Sequence, residues 1–493
     1  MVQRYAVNGC TTNTMGSDIR HSFFSEADFR QFRENLRKET KILMDWFSSE
    51  VFEKSGEVCG FELEGWLVNE NYTPAPRNEE FLEKVNSNLV VAELSKYNFE
   101  INTRPHPLDK NLPAYLQEEL SKTWRSCIHH AETMNCRVLM IGILPTIEDR
   151  MLTLEHISSL QRFAALNREI LRSRKREPLK IHIEGERETL TVTHHDVMAE
   201  AATTSLQIHL QVSPETAARH YNIAQILSAP MVALTANSPF LFGKELWDET
   251  RIPLFEQAVN IPSFCDKSGR VISRVTFGSG YVRNSLREVF LENLDGFPIL
   301  LPETFEEDFN RLNHLRLHNG TIWRWNRPLI GLSDSGTPHL RIEHRVPSAG
   351  PSIPDTVANI LFFYGTMYHL LEQKNSIEQE VSFEDARNNF YLAAKKGLDA
   401  QIVWRKGKRI PVREILLEEL LPGAGRSLKK KGIEKEPIAY NLHEILRQRV
   451  ISGRTGAFWQ KAYINRHGPR FQEMTHVYHE NQNQQKPVHT WKI

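Results

Sequence analysis

The sequence predicts an α+β protein built on a curved, mainly antiparallel sheet with helices on its outer face. Three observations carry this reading. Four separate stretches alternate polar and apolar residues with the period of an extended chain, so each offers one polar and one apolar face. Helical periodicities fall between and after them without regular strand–helix–strand alternation, which argues against a doubly wound parallel sheet. Nothing repeats at a fixed interval, which excludes a solenoid or a propeller.

Taken in order, residues 1–24 are polar and unpatterned and read as a flexible lead-in. Ser25 with Asp28 three residues on matches a capping box. The stripe Phe29, Phe32, Leu36, Leu43 and Phe47 that follows has helical spacing and reads as core. After a break at Gly56 comes the first alternating stretch, Cys59–Val68. It sets Gly60, Glu62, Glu64 and Trp66 against Phe61, Leu63 and Leu67, with Cys59 a small buried hydrophobe. Residues 70–90 carry a proline-rich turn and a polar helix. Phe99–Pro105 then groups Glu100, Asn102 and Arg104, and Pro105 and Pro107 end its ladder. A helix is expected over Leu112–Cys136, a buried strand over Val138–Leu144 and a helix over Gln161–Arg168. The basic run Arg172–Arg176 reads as solvated surface.

The third stretch, Ser205–Val212, sets Ser205, Gln207, His209 and Gln211 against Leu206, Ile208, Leu210 and Val212. A helix over Asn222–Ala236 and a turn at Ser238-Pro239 follow. Thr321–Pro328 reads as a strand with Trp323 and Trp325 as packing residues. The fourth stretch, His339–Val346, groups His339, Arg341, Glu343 and Arg345. Helix resumes from Asp355 to Gln373 and dominates from 376 onward, with a polar tail after Tyr478. The expected organisation is a lead-in at 1–24, a sheet-bearing domain at 25–375 and a helical C-terminal extension at 376–493 packed on it.

With 493 residues, 40% of them hydrophobic and 25% charged, the chain has ample material for a core. Lys+Arg and Asp+Glu are both 61, so nothing points to nucleic acid or a membrane surface. Five scattered cysteines without a C-x-x-C suggest reduced thiols in a cytoplasmic protein. No apolar run approaches the roughly 20 residues of a membrane helix. Neutrality and the lack of a heptad leave homo-oligomerisation open.

Two carboxylates two residues apart on one strand face, Glu62 and Glu64, repel each other unless a cation lies between them. Hard divalent ions take such oxygen ligands, often shared with substrate phosphates. Repeated carboxylate, amide, imidazole and guanidinium groups on all four polar faces point to a concave site for metal, phosphate and a polar substrate.

The segments Gly60-Phe-Glu-Leu-Glu64, Phe99-Glu-Ile-Asn-Thr103, Gln161-Arg-Phe163, Gln207-Ile-His209, Ala233-Leu-Thr-Ala-Asn-Ser-Pro239 and Arg341-Ile-Glu-His-Arg345 occur together in order. In this the chain resembles the glutamate–cysteine ligase type 2 family of carboxylate–amine ligases, whose fold is related to the glutamine synthetase catalytic domain. The resemblance spans residues 55–375. It implies ATP-dependent activation of a carboxylate, typically the γ-carboxylate of glutamate, and attack by an amine such as cysteine on the acyl phosphate.

By analogy Glu62 and Glu64 would hold Mg²⁺ (or Mn²⁺) that bridges the phosphates of the co-substrate ATP. Glu100 and Glu343 would complete the metal shell, and His209 would be a metal ligand or a contact to the transferring phosphoryl group. Arg345 and Arg327 would clamp phosphate or substrate carboxylate, Arg341 would join Arg345 and Glu64 in holding the nucleotide, and Asn102 and Gln207 would hydrogen-bond the substrate. Relatives carry His-x-His where this chain has Gln207-Ile-His209, and an acid before the Glu100 strand where this chain has Lys96. One metal position is therefore expected to be altered. Two rival readings share these residues: a phosphotransferase or metal-dependent hydrolase, and a non-catalytic nucleotide- or amino-acid-binding protein.

Overall fold

The computed structural model describes residues 18–54, 57–261, 264–265, 271–305 and 308–493. Most of the expected lead-in and the Gly56 break lie outside them. Of the lead-in, residues 18–24 are described, and part of that stretch is tied down. The Asp18 carboxylate accepts from the backbone N–H of Gln161 and Arg162 at 3.1 and 2.9 Å, and Ile19 packs against Ala165 and Leu301.

The main sheet contains β1 (Val58–Asn69), β2 (Val90–Ala92), β3 (Asn98–Asn102), β4 (His106–Pro107), β5 (Cys136–Leu139), β6 (Leu206–Val212), β7 (Asn326–Leu332) and β8 (Pro338–His344). Its strand order is β7-β8-β6-β1-β3-β2, with β4 and β5 also pairing β1, and every pairing in it is antiparallel. The sheet is curled and helices cover its outer face, as its alternation predicted. The helices that bear on the site are α1 (Glu26–Ser48), α2 (Asn78–Val85), α3 (Leu112–Glu132), α4 (Gln161–Ser173), α5 (Pro214–Thr235), α6 (Arg251–Ala258), α7 (Arg287–Gly296), α8 (Asn313–Gly320), α9 (Ile353–Leu371) and α10 (Phe383–Lys396). The capping box is present: Ser25 Oγ accepts from Asp28 N–H while the Asp28 carboxylate accepts from Ser25 N–H.

The apolar face of the sheet packs on α5 and α9, which are buried around most of their circumference. His344 stacks on Phe363 of α9 with ring centroids 4.5 Å apart, and Asn326 donates to Ser228 of α5 at 2.9 Å. These contacts fix the opposite faces of β7 and β8, carrying Arg327, Arg341 and Glu343, towards the concave side.

Several expectations are corrected. The strand over Val138–Leu144 stops at Leu139. From Met140 onward, side chains replace the ladder. Met140 N–H donates to Gln482 and its carbonyl accepts from Gln482 and Tyr478, while the Ile141 carbonyl accepts from Trp66 and Thr204. The segment after Tyr478 is thus a structural plug and no loose tail, and Val488 and Trp491 are buried with it. The Thr321–Pro328 strand breaks at Trp325, because Trp323–Arg324 pairs in parallel with Val275–Thr276 before β7 begins. Within the basic run, Arg174 is only 9% exposed and donates to the carbonyls of Asn260, Glu177 and Pro178, so it is a loop staple and not solvated surface. A hairpin of Leu179–Glu184 and Thr189–His194 was not anticipated.

Candidate active site

The register brings the polar faces together on the concave side. Glu62 lies opposite Gln207 on β6 and Asn102 on β3, Glu64 opposite Glu100, and His209 opposite Glu343. Arg327 lies opposite Glu343, and Arg341 opposite Gln211. Gly60, opposite His209 on the β1 side, has no side chain, and the imidazole leans over towards Glu62.

Two groups of three ligand-bearing side chains result. Glu62, His209 and Glu343 offer ligand atoms within 4.8 Å of one another, and so do Glu64, Glu93 and Glu100. In the first group His209 Nε2 sits 3.3 Å from Glu62 and 3.7 Å from Glu343, is buried and makes no hydrogen bond. Burial works to raise the Glu62 carboxyl, but the charge and contact of His209 outweigh it and hold the carboxyl below its ordinary range. Burial opposes the charge on Glu343 too, but Arg327, Arg345 and His209 together hold its carboxyl far down. In the second group burial and the neighbouring acids act the same way. Burial and Glu93 push Glu64 up to about 7, and burial with Glu62, Glu93 and Glu64 lifts Glu100 well above the usual range. Three buried carboxylates without a paired cation are costly to assemble. An orphaned buried imidazole nitrogen beside two carboxylates, and an all-oxygen trio next to it, fit hard divalent cations.

The residue that sequence reasoning missed is Glu93. It follows β2 and reaches the site seven positions before Glu100, whereas Lys96 points away to the carbonyl of Glu155. Glu93 thus places an acid ahead of the Glu100 strand, where Lys96 had suggested its loss. Its signal was the short Val90-Val-Ala92 strand directly ahead of it. Glu200, in the turn Met198–Ala202, is a second unforeseen acid: burial, then Glu93 and Glu64, drive its carboxyl well above the ordinary range.

The arginines divide by partner. Arg327 grips Glu343 with two parallel bonds, Nε to Oε2 at 2.8 Å and Nη2 to Oε1 at 2.9 Å, and gives Nη1 to the Gly320 carbonyl at 3.0 Å. Its bonds position Glu343 and take three of its five N–H donors. Arg345 Nη1 reaches both Gln207 Oε1 and, at 3.2 Å, Glu343 Oε2. Arg341 differs: it makes no hydrogen bond or ion pair to any described residue, its Nε is buried, and burial pushes its pKa down. Arg316 on α8 brings further positive charge to its neighbourhood, while burial and the two arginines push His339 down to about 4 and keep it neutral.

The amides are occupied as well. Gln207 donates to Glu64 Oε1 at 2.9 Å while accepting from Arg345, so it bridges a carboxylate and a guanidinium. Ser205 adds its N–H and hydroxyl to Glu64 at 2.7 and 3.0 Å. Asn102 donates to Glu100 at 2.9 Å, and no described residue donates to its carbonyl oxygen.

A curled antiparallel sheet with helices outside and acids and arginines inside is the architecture of glutamine synthetase-like ligases. The sequence profile of glutamate–cysteine ligase family 2 (GCS2) matches residues 58–485. The chain belongs to that family, and is thereby an ATP-dependent ligase that forms a C–N bond. Among solved structures, a glutamate–cysteine ligase from Francisella tularensis in complex with AMP is similar with TM-score 0.50 and 12% identity, over 87% of this chain and 89% of that one. A bifunctional glutathione synthetase from Pasteurella multocida gives 0.47 and 10% identity over 90% of this chain and 55% of that one, and a glutamine synthase homolog 0.32 and 11% over 91% and 74%. At these identities the likeness shows the fold alone. None of the curated protein sequences matches this chain. No helix among the described residues is long and apolar enough to cross a membrane.

Proposed function

We propose that the protein activates an amino-acid carboxylate, the γ-carboxylate of glutamate, as an acyl phosphate at the expense of ATP, and joins it to an amine such as cysteine, releasing ADP and phosphate. The observation that carries this reading is the juxtaposition of two three-ligand acid groups with one guanidinium, Arg341, that has no partner among the described residues. Phosphoryl transfer needs positioned cations and neutralised phosphate charge, not a protein nucleophile.

Glu62, His209 and Glu343 would hold one Mg²⁺ or Mn²⁺, and Glu64, Glu93 and Glu100 a second; bound there, such ions neutralise phosphate charge and polarise the phosphoryl group. The chain's own residues do the rest. Arg327 locks the Glu343 carboxylate in orientation through its two-pronged contact. Gln207 and Ser205 fix Glu64, and Gln207 with Glu343 fixes Arg345. Arg341, backed by Arg316, receives an anionic group of ATP or of the acid. Asn102 offers its free carbonyl oxygen to a substrate donor. Residues 25–375 form the catalytic unit in this account, and 376–493 the helical extension that braces it.

The test is ADP release with Mg²⁺-ATP and glutamate across a panel of amino acids and amines, with Glu62→Ala as control. Release that needs both glutamate and one amine, and disappears in the control, supports the ligase. Release with an acid and no amine would replace it with a phosphotransferase, and a silent panel without ATP binding would overturn it.

A further inference from the structure

Arg162, in the first turn of α4, stands at the free edge of the sheet beside the second acid group. Its Nη2 donates to the Ala92 carbonyl at 3.5 Å, one residue before Glu93. The chain just ahead of α4 runs along Glu93 itself: Ser158 Oγ donates to the Glu93 carbonyl, and Ser158 N–H to the Leu94 carbonyl at 2.8 Å. The backbone of the turn is fixed as well, because the Asp18 carboxylate accepts the Arg162 N–H at 2.9 Å.

The register places this guanidinium at the acid group. Val91 lies opposite Glu100, and Glu100 opposite Glu64, so Glu93, two residues after Val91, shares their concave side. Burial lifts the Glu93 carboxyl above its ordinary range, and Arg162 is the strongest of the influences that pull it back. Yet no ion pair joins Arg162 to any described residue. Its Nε is buried and bonds nothing, and the Ala92 contact leaves the other four of its five N–H donors without a described acceptor. The Phe163 ring, with its centroid 4.6 Å from the guanidinium carbon, orients the group without consuming a donor. The side chain keeps partial solvent contact.

Arg341 and Arg162, neither of them in an ion pair, therefore flank the two acid groups from opposite sides. Arg341 is on β8 and Arg162 lies beyond β2, with β6, β1 and β3 between them. Phosphate charge is met by the divalent cations that the acid groups would hold. The carboxylate of an amino acid that takes no part in the reaction has no such counter-ion, and a guanidinium fits it with two parallel bonds.

We propose that Arg162 binds the non-reacting carboxylate of an amino-acid substrate and so selects amino acids over their decarboxylated counterparts; this rests on the ligase reading above. The carboxylate belongs either to the activated acid or to the acceptor amine, and kinetics separate the two.

The experiment compares wild type with Arg162→Met and Arg162→Lys in steady-state assays, varying acid, amine and ATP in turn. Arg162→Met gives up one 3.5 Å bond to a carbonyl, so its unfolding midpoint is expected to stay near that of wild type. Losing a charge-assisted contact should raise KM about 10- to 100-fold for the substrate whose carboxylate is bound, with kcat and the KM of ATP little changed. Arg162→Lys should recover part of the loss. A rise for glutamate that is absent with 4-aminobutyrate, which lacks the α-carboxylate, assigns the acid; a rise for cysteine that is absent with cysteamine assigns the amine. If wild type ligates and only the KM of ATP or the Mg²⁺ requirement moves in Arg162→Met, Arg162 serves phosphate or Glu93 and the proposal is overturned. The same holds if no constant moves, or if stability and every constant fall together. If wild type shows no acid- and amine-dependent ADP release, the ligase reading fails and the proposal falls with it.

Discussion

Arg327 and Arg341, both on the concave face of the sheet, should respond oppositely to the same substitution. Arg327 and Glu343 are 7% and 0% exposed and joined by two hydrogen bonds. In Arg327→Met the Glu343 carboxylate keeps only the 3.2 Å contact to Arg345 and the 3.7 Å approach of His209. Breaking a buried pair from one side costs about 3–5 kcal/mol, and the surviving partners place the loss near the lower figure. Arg341→Met removes a buried guanidinium with no bonded partner among the described residues, so apo stability should change by less than about 1 kcal/mol. The ligand effect is reversed in order. Mg²⁺-ATP at about 100 times its Kd should stabilise wild type by about 2.7 kcal/mol. If Arg341→Met forfeits one charge-assisted contact and weakens ATP about 10- to 100-fold, that stabilisation falls to about 1.4 to 0.4 kcal/mol. The assay is chemical denaturation with and without Mg²⁺-ATP. Equal apo destabilisation by the two variants, or an undiminished ATP effect in Arg341→Met, would refute the division of labour.

Further outcomes follow from the same geometry. Glu93→Gln removes a charge from the Glu64–Glu93–Glu100 trio and should raise the Mg²⁺ concentration for half-maximal ADP release about tenfold or more; an unchanged metal requirement would remove Glu93 from the site. Arg449→Met breaks the buried 2.6 Å pair with Asp355, whose other oxygen holds Val488 N–H at 2.9 Å. It should lower stability by about 3–5 kcal/mol and expose the C-terminal segment to limited proteolysis. Acid should destabilise the fold through His220 and His318, which burial holds neutral and pushes down to about 4. The unfolded chain takes up protons near 6.5 and the folded chain does not, so their contribution is complete above 6.5 and falls as pH drops towards 4. By pH 5 the loss is about 2 kcal/mol per histidine, measurable as a lower urea midpoint, and a midpoint flat between pH 7.5 and 5 would contradict it.

The site strands were legible because their period of two is unbroken. Glu62, Glu64, Glu100, His209, Glu343 and the arginines all face the concave side on which alternation placed them, with helices behind. What alternation cannot reveal is who binds whom. Arg327 and Arg345 both looked like free clamps, yet the register sets Arg327 directly opposite Glu343, and opposite charges in that position bond each other. Gln207 looked like a substrate contact for the same reason. Glu93 and Glu200 escaped notice because they stand on turns, where no period marks a face. The hairpin at Leu179–Glu184 had a readable signal, with Leu179, Ile181 and Ile183 buried between exposed Lys180, His182 and Glu184. The closure of the Met140–Leu144 segment by Gln482 and Tyr478 is a contact across more than 330 residues, beyond any local pattern.

The most direct test of the central claim is the fate of oxygen. With the acid carboxylate labelled by ¹⁸O, activation as an acyl phosphate followed by amine attack carries one labelled oxygen into each inorganic phosphate released. Label recovered in phosphate in step with amide formation is the result this account predicts. Unlabelled phosphate alongside amide product would contradict it.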